Sequence, residues 1–376
     1  MRIKTIRLVL LFILAMHQTI LPLNSSQGEK SLTEKPKNVI LIIGDGTGLS
    51  HVAITQYLMY GDKKMSFYTM PNVGFVTTHP LKDKITDSAA GATAMATGHK
   101  TYNGMVGMTP DSLPKETILE SAKKLGMATG LVATSHITDA TPACFVAKAP
   151  KRSMHTLIAE QIAVAGVDVV LGGGIEYFLP QSDTLSERKD NLDLTKKIKE
   201  LGYDYVTNET ELRASKGKKL FGLFSVGGID KAEGEPTLPE MTEKALQVLS
   251  QDNDGFFLMI EGSQVDWAAH GNDLEGVLYH VTELEKSLGI CLDFAEKNPN
   301  TLIVVTADHE TGGLTLTGGE EGGKKTIQAS WSTKGHTGTP VPFYAKGPGS
   351  ELFHGVIDNT DIAKLIAKAL HLPMTF

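Results

Sequence analysis

Six short apolar runs, rich in β-branched residues, punctuate the chain: Asn38–Ile43, Ala128–Thr134, Val167–Leu171, Gly255–Ile260, Leu302–Thr306 and Pro342–Ala345. Most are nearly continuous rather than alternating, the pattern of strands covered on both faces, and each ends in glycine or polar residues. Between them lie stretches with helical spacing: Pro114–Leu125, Met154–Ala165, Pro239–Ser250, Leu274–Ala295 and Thr360–Leu370. Pro near the start and Gly126 just after the end mark the first of these as a helix with ordinary boundaries. Strand–helix alternation predicts an α/β fold, a three-layer sandwich with a central, mostly parallel sheet. Residues 176–236 break the rhythm. They are charged and lysine-rich, and read as an insertion, a crown or lid over the active-site side of the sheet. Gly318–Lys325 reads as a second loop.

Length and composition narrow the classes. With 376 residues, 41% of them hydrophobic and 21% charged, the chain resembles an ordinary enzyme with a large core. A net charge of −7 argues against nucleic acid as a main partner. Residues 1–26 are read as a signal peptide. Arg2, Lys4 and Arg7 precede the apolar run Leu8–Met16, which is too short to span a bilayer. Its removal takes the charge from −7 to −10, and no stable membrane anchor is expected. Export to a periplasmic or secreted location would allow Cys144 and Cys291 to pair, or they remain buried thiols. Asn208-Glu209-Thr210 fits a glycosylation acceptor.

The chemistry concentrates where the strands end, the usual ligand edge of an open α/β sheet. Asp87-Ser88-Ala89-Ala90-Gly91-Ala92 opens a small-residue helix whose free amides and positive end suit a phosphate. Ser88 is therefore a candidate nucleophile, or alternatively a helix cap. Asp45 sits between glycines after the first strand and could equally be a turn aspartate. Glu261 closes another strand, and Asp266 and His270 follow four residues apart, on one side of a helix. Asp308-His309 follows Leu302–Thr306, His336 lies between glycines in a loop, and Asp139 precedes Thr141 in Asp139-Ala-Thr-Pro-Ala143. Histidine with aspartate suits zinc; carboxylates with a threonine hydroxyl suit magnesium.

Taken together, Ile85–Ala94, Lys100–Gly104, Asp139–Ala143, Glu261–His270, Thr306–Gly313 and Gly335–Gly338 resemble the alkaline phosphatases, over roughly Lys37 to the C-terminus. The resemblance implies one catalytic domain over 36–376, hydrolysing phosphate monoesters at alkaline pH through a phosphoserine on Ser88. It also implies two zinc ions and one magnesium. Asp266, His270 and His336 would hold the first zinc. Asp45, Asp308, His309 and Ser88 would hold the second. Asp139, Thr141 and Glu261, with Asp45 bridging, would hold magnesium. Arg152, rather than the adjacent Lys151, would grip the phosphoryl oxygens, and Trp267 would occupy a substrate-facing position that varies in the family. Monoesters and inorganic phosphate are the implied partners, with monomer and homodimer both open. A related phosphodiesterase or sulfatase, or a phosphate- or metal-binding protein without turnover, are the rival readings.

Overall fold

A computed structural model describes residues 35–230, 232–319 and 328–374. The expected signal peptide and most of the loop after Gly318 lie outside the described residues. The strands, in chain order, are β1 (Asn38–Gly44), β2 (Asn72–Thr77), β3 (Ala128–His136), β4 (Val169–Gly173), β5 (Asp204–Val206), β6 (Leu220–Leu223) and β7 (Phe256–Gly262). They continue with β8 (Thr301–Thr306), β9 (Glu310–Thr311), β10 (Leu314–Gly318), β11 (Gln328–Trp331), β12 (His336–Thr337), β13 (Val341–Lys346) and β14 (Gly355–Asp358). Ten of them form one sheet in the order β14-β2-β13-β8-β1-β7-β3-β4-β6-β5. Every pairing is parallel except those of β13, which runs antiparallel to both neighbours.

The near-continuous apolar runs serve two cores. Along β1, Val39, Leu41 and Ile43 face one apolar cluster, while Ile40 and Ile42 face the other. This is the period-two alternation of a strand buried on both sides. Helices Ser88–Thr97, Ile118–Lys124, His155–Val164 and Thr360–Ala369 supply buried residues to the first layer. Helices Leu49–Thr55, Leu238–Leu249, Gln264–His270 and Leu274–Lys297 supply the second. Cys144 and Cys291 belong to opposite layers and are both free and buried, so they do not pair.

Two expectations need correction. The helix expected from Pro114 begins at Ile118, because Thr117 and Glu120 cap each other's backbone amides reciprocally. The stretch 176–236 is also more than a cover. It supplies β5 and β6, which extend the sheet in parallel from β4. Asn208 caps the short helix Glu209–Ala214, accepting from the Glu211 amide. No helix among the described residues is long and apolar enough to cross a membrane.

Candidate active site

Strands β1, β7, β8 and β3 lie together at the middle of the sheet, so the loops leaving their carboxyl ends converge. Asp45 follows β1 and Asp308-His309 follows β8. Glu261 lies within β7, and Asp266 and His270 occupy the helix just beyond it. Asp139 and Thr141 follow β3. The backbone is tight at Gly46, where φ is +70° and an added Cβ would stand 2.8 Å from the Asp266 Cα. Glycine permits both the turn and the approach. His336, expected in a loop, lies in β12, which pairs with β9 so that His336 is opposite Thr311. The Glu310 carboxylate reinforces this pairing, accepting from Gly313 and Leu314 amides and the Thr337 hydroxyl.

Two donor clusters result. In one, Asp266, His270 and His336 turn ligand atoms toward one another. His270 Nδ1–H donates to the Lys334 carbonyl (2.5 Å), and His336 Nδ1–H donates to the Thr86 carbonyl (2.8 Å). With both Nδ1 atoms turned to backbone carbonyls, the two Nε2 atoms face each other 3.2 Å apart. Ring nitrogens that close call for a shared proton or cation. The hydrogen bond to Asp266 pushes His270 up to about 9.

The second cluster is completely buried. His309 Nε2 lies 3.1 Å from Asp308 Oδ2, 3.5 Å from Asp45 Oδ1 and 3.3 Å from Ser88 Oγ. Asp266 also approaches this group, so it stands between the clusters. Asp45 Oδ1 and Asp308 Oδ2 have no hydrogen-bond partner. Burial, then the charges of Asp308, Asp266, Glu261 and Asp139, raise the Asp45 carboxyl well above its ordinary range. Orphaned carboxylate oxygens amid like charge are what a cation site looks like without its cation. The donor set therefore fits zinc at both clusters.

A third set adjoins these. The Thr141 hydroxyl is buried without a partner, and burial pushes Glu261 up to about 8. Asp139 Oδ1 accepts from Ala140 N–H (2.7 Å) and Arg152 Nη2 (2.9 Å). An oxygen-only set with an orphaned hydroxyl fits a hard cation such as magnesium.

Ser88 is not the helix cap. Asp87 takes that place, accepting from the Ala90 amide at 2.9 Å, which leaves the Ser88 hydroxyl free to face His309. Asp87 also meets Arg152 Nη1 at 3.4 Å, so the guanidinium spans Asp87 and Asp139 beside the serine. Lys151 is exposed and makes no such contact, which favours Arg152 between the two. Trp267 is half-exposed beside Asp266.

Sequence reasoning missed Asp87 and Thr311. Asp87 was legible as a capping residue three positions before Ala90. The Thr311 hydroxyl donates to Asp266 Oδ1 (2.5 Å) and lies 3.2 Å from His309 Nδ1, tying the clusters together. Nothing local in Thr311-Gly312-Gly313 announces that role.

A profile described as alkaline phosphatase matches residues 36–330 and 321–372. The chain belongs to the alkaline phosphatase family. Alkaline phosphatase 3 of Bacillus subtilis is 37% identical, covering 92% of each chain. The Escherichia coli alkaline phosphatase is 32% identical over 91% of this chain and 88% of its own. Among solved structures, the alkaline phosphatase of the Antarctic bacterium TAB5 aligns with TM-score 0.83 and 37% identity, covering 90% of this chain and 99% of that one. The Thermus thermophilus alkaline phosphatase gives 0.84 and 26%, covering 94% and 96%. A variant of the TAB5 enzyme was solved with magnesium bound. Family membership makes this chain a phosphatase acting on phosphate monoesters.

Proposed function

We propose that hydrolysis proceeds through a covalent phosphoserine on Ser88, in a centre holding two zinc ions and one magnesium. Asp266, His270 and His336 would hold one zinc, and Asp45, Asp308, His309 and Ser88 the other. Asp139, Thr141 and Glu261, with Asp45, would hold magnesium, in keeping with the magnesium carried by the TAB5 variant. When bound, such ions lower the pKa of a coordinated hydroxyl and neutralise charge on attacking and leaving oxygens.

The chain's own residues do the rest. Ser88 Oγ attacks phosphorus in line, and the ester alcohol departs from the opposite side. Arg152, pre-aimed by Asp87 and Asp139, offers its fork of donors to two equatorial oxygens. The amides at the start of helix Ser88–Thr97 and its positive end favour the added negative charge. Water then attacks the phosphoserine, and Ser88 leaves as the alcohol. Export of the mature chain to a periplasmic or secreted location remains the reading of its first 26 residues.

The observation carrying this reading is the Ser88 hydroxyl, which does not cap its helix but hydrogen-bonds His309 Nε2 (3.3 Å) at the edge of a buried acidic cluster. Its test is turnover of matched aryl phosphate monoester, phosphodiester and sulfate ester by metal-replete protein. The account expects the monoester to dominate and activity to rise toward alkaline pH. Dominant diester or sulfate cleavage would replace it with a rival reading, and no turnover would leave a binding protein.

A further inference from the structure

The run Lys100–Gly104 carries part of the family resemblance but has no part in the reaction described above. The chain reaches Ser88 through residues 78–87, which form neither helix nor strand. Such a backbone has no ladder to hold it, so other groups must satisfy its peptides. Asn103 does so on both sides of Thr86. Its Nδ2 donates to the Ile85 carbonyl (3.0 Å), and its Oδ1 accepts from the Asp87 amide (3.1 Å). One side-chain amide therefore grips the three residues before the nucleophile as a neighbouring strand would grip an edge. The next residue joins that segment to Arg152. Gly104 N–H donates to Asp87 Oδ2 (2.9 Å), and the Gly104 carbonyl accepts from the Arg152 amide (2.7 Å). Gly104 holds φ at +84°, which glycine adopts without strain. Beyond it the loop is tied to the nucleophile's own helix. The Thr93 hydroxyl donates to the Met105 carbonyl (3.1 Å) and accepts from the Gly107 amide (3.0 Å). Val106 and Ala149 exchange both backbone hydrogen bonds (2.9 and 3.0 Å). Residues 103–107 thus hold the segment before Ser88, the helix after it and the stretch that carries Arg152.

We propose that Asn103 is a positioning residue, which fixes the spacing between Ser88 and the Arg152 guanidinium so that attacking oxygen and phosphoryl grip meet the same phosphate. The proposal rests on the phosphoserine reading and deepens it. Asn103 reaches the reaction only through the backbone of residues 85–87 and the loop it begins. Its side chain is exposed, so its loss removes no core packing. Its effect is geometric: in-line attack needs aligned atoms, and a displacement of about 1 Å can cost on the order of 10²-fold in rate. A rival route runs through the Thr86 carbonyl, which accepts from His336 Nδ1 (2.8 Å), and bound metal separates the two.

Asn103→Ala should lower kcat/KM for an aryl phosphate by about tenfold, the scale of two lost hydrogen bonds. Zinc and magnesium content and the unfolding temperature should stay close to those of the unaltered chain. The deciding readout is a double-mutant cycle with Arg152→Ala. Once the guanidinium is gone, its spacing from Ser88 no longer counts. Asn103→Ala should then change kcat/KM by less than about twofold. Asn103→Ser, which also lacks the amide, should reproduce both results. An unchanged kcat/KM, a full and additive loss in the Arg152→Ala background, or a loss that tracks missing zinc overturns the positioning role. Ser88→Ala separates the two layers of argument. If Ser88→Ala is inactive and the cycle is additive, the positioning role alone falls. If Ser88→Ala keeps full turnover, the phosphoserine reading falls and takes the positioning role with it.

Discussion

The two donor clusters share Asp266 and lie side by side, but they are built on opposite principles. The Asp266/His270/His336 group is rich in imidazole and partly open to water. Its histidines are aimed by backbone carbonyls. The Asp45/Asp308/His309 group is rich in carboxylate and sealed, with His309 and Asp308 wholly inaccessible. An open, imidazole-rich group suits exchange with solvent and with a departing alcohol. A buried, anionic group suits retention of charge next to the nucleophile. The stacked rings of His309 and His336, 3.5 Å apart at 20°, are the wall between them.

The contrast can be broken most severely at the ligands. Asp308→Asn should abolish turnover beyond rescue, since it removes charge from a dry site that water cannot refill. His270→Gln should also be inactive as isolated, but should regain measurable turnover in excess zinc. Equal rescue of both variants, followed by activity and bound metal, would erase the distinction. Next in size is the phosphoryl grip. Arg152→Ala should weaken inhibition by inorganic phosphate by roughly 10- to 100-fold, the scale of lost charge-assisted bonds. Lys151→Ala should stay within about twofold in the same titration.

Thr311 tests whether the clusters are coupled. Thr311→Val keeps the shape but loses the hydroxyl, and should weaken metal affinity about 10-fold or more. A competition titration should show the loss at both clusters, because the hydroxyl contacts Asp266 and His309 together. A loss confined to one cluster would contradict the bridge.

The smallest effect contrasts two histidines. His270 is held up to about 9 by Asp266, whereas burial drives His51 down to about 4. In metal-free protein, the stabilisation from His270 is complete below the unfolded value near 6.5 and fades as pH rises through about 9. Its exposure keeps that contribution small. His51 works in the other direction. The unfolded chain binds its proton first, so stability falls as pH drops from about 6.5 through about 4, by on the order of 3 kcal/mol. Urea unfolding of metal-free protein at pH 7 and pH 5 should show a smaller pH difference in His51→Gln than in the unaltered chain.

The central strands and the ligand loops were legible because they coincide. Three of the long buried runs end almost directly in an acid or histidine: Ile43 in Gly44-Asp45, Ile260 in Glu261 and Thr306 in Ala307-Asp308-His309. The edge strands were not. Asp204–Val206 is three residues long, and Leu220–Leu223 and Asn72–Thr77 each contain glycine, so none carries a run long enough to set a period. Hence 176–236 read as an insertion although part of it extends the sheet. Asp87 and Ser88 are both capping residue types, so the sequence marks the helix start but only the fold decides that Asp87 caps it. The Thr311 bridge joins residues 45 apart in sequence, which no local pattern records.

One measurement bears most directly on the central claim. Metal-replete protein mixed with a labelled phosphate monoester and quenched in acid should retain label on a single peptide, at Ser88. Ser88→Ala should retain none and should lose on the order of 10³-fold or more in kcat. Label on any other residue, or full turnover by Ser88→Ala, would contradict the account.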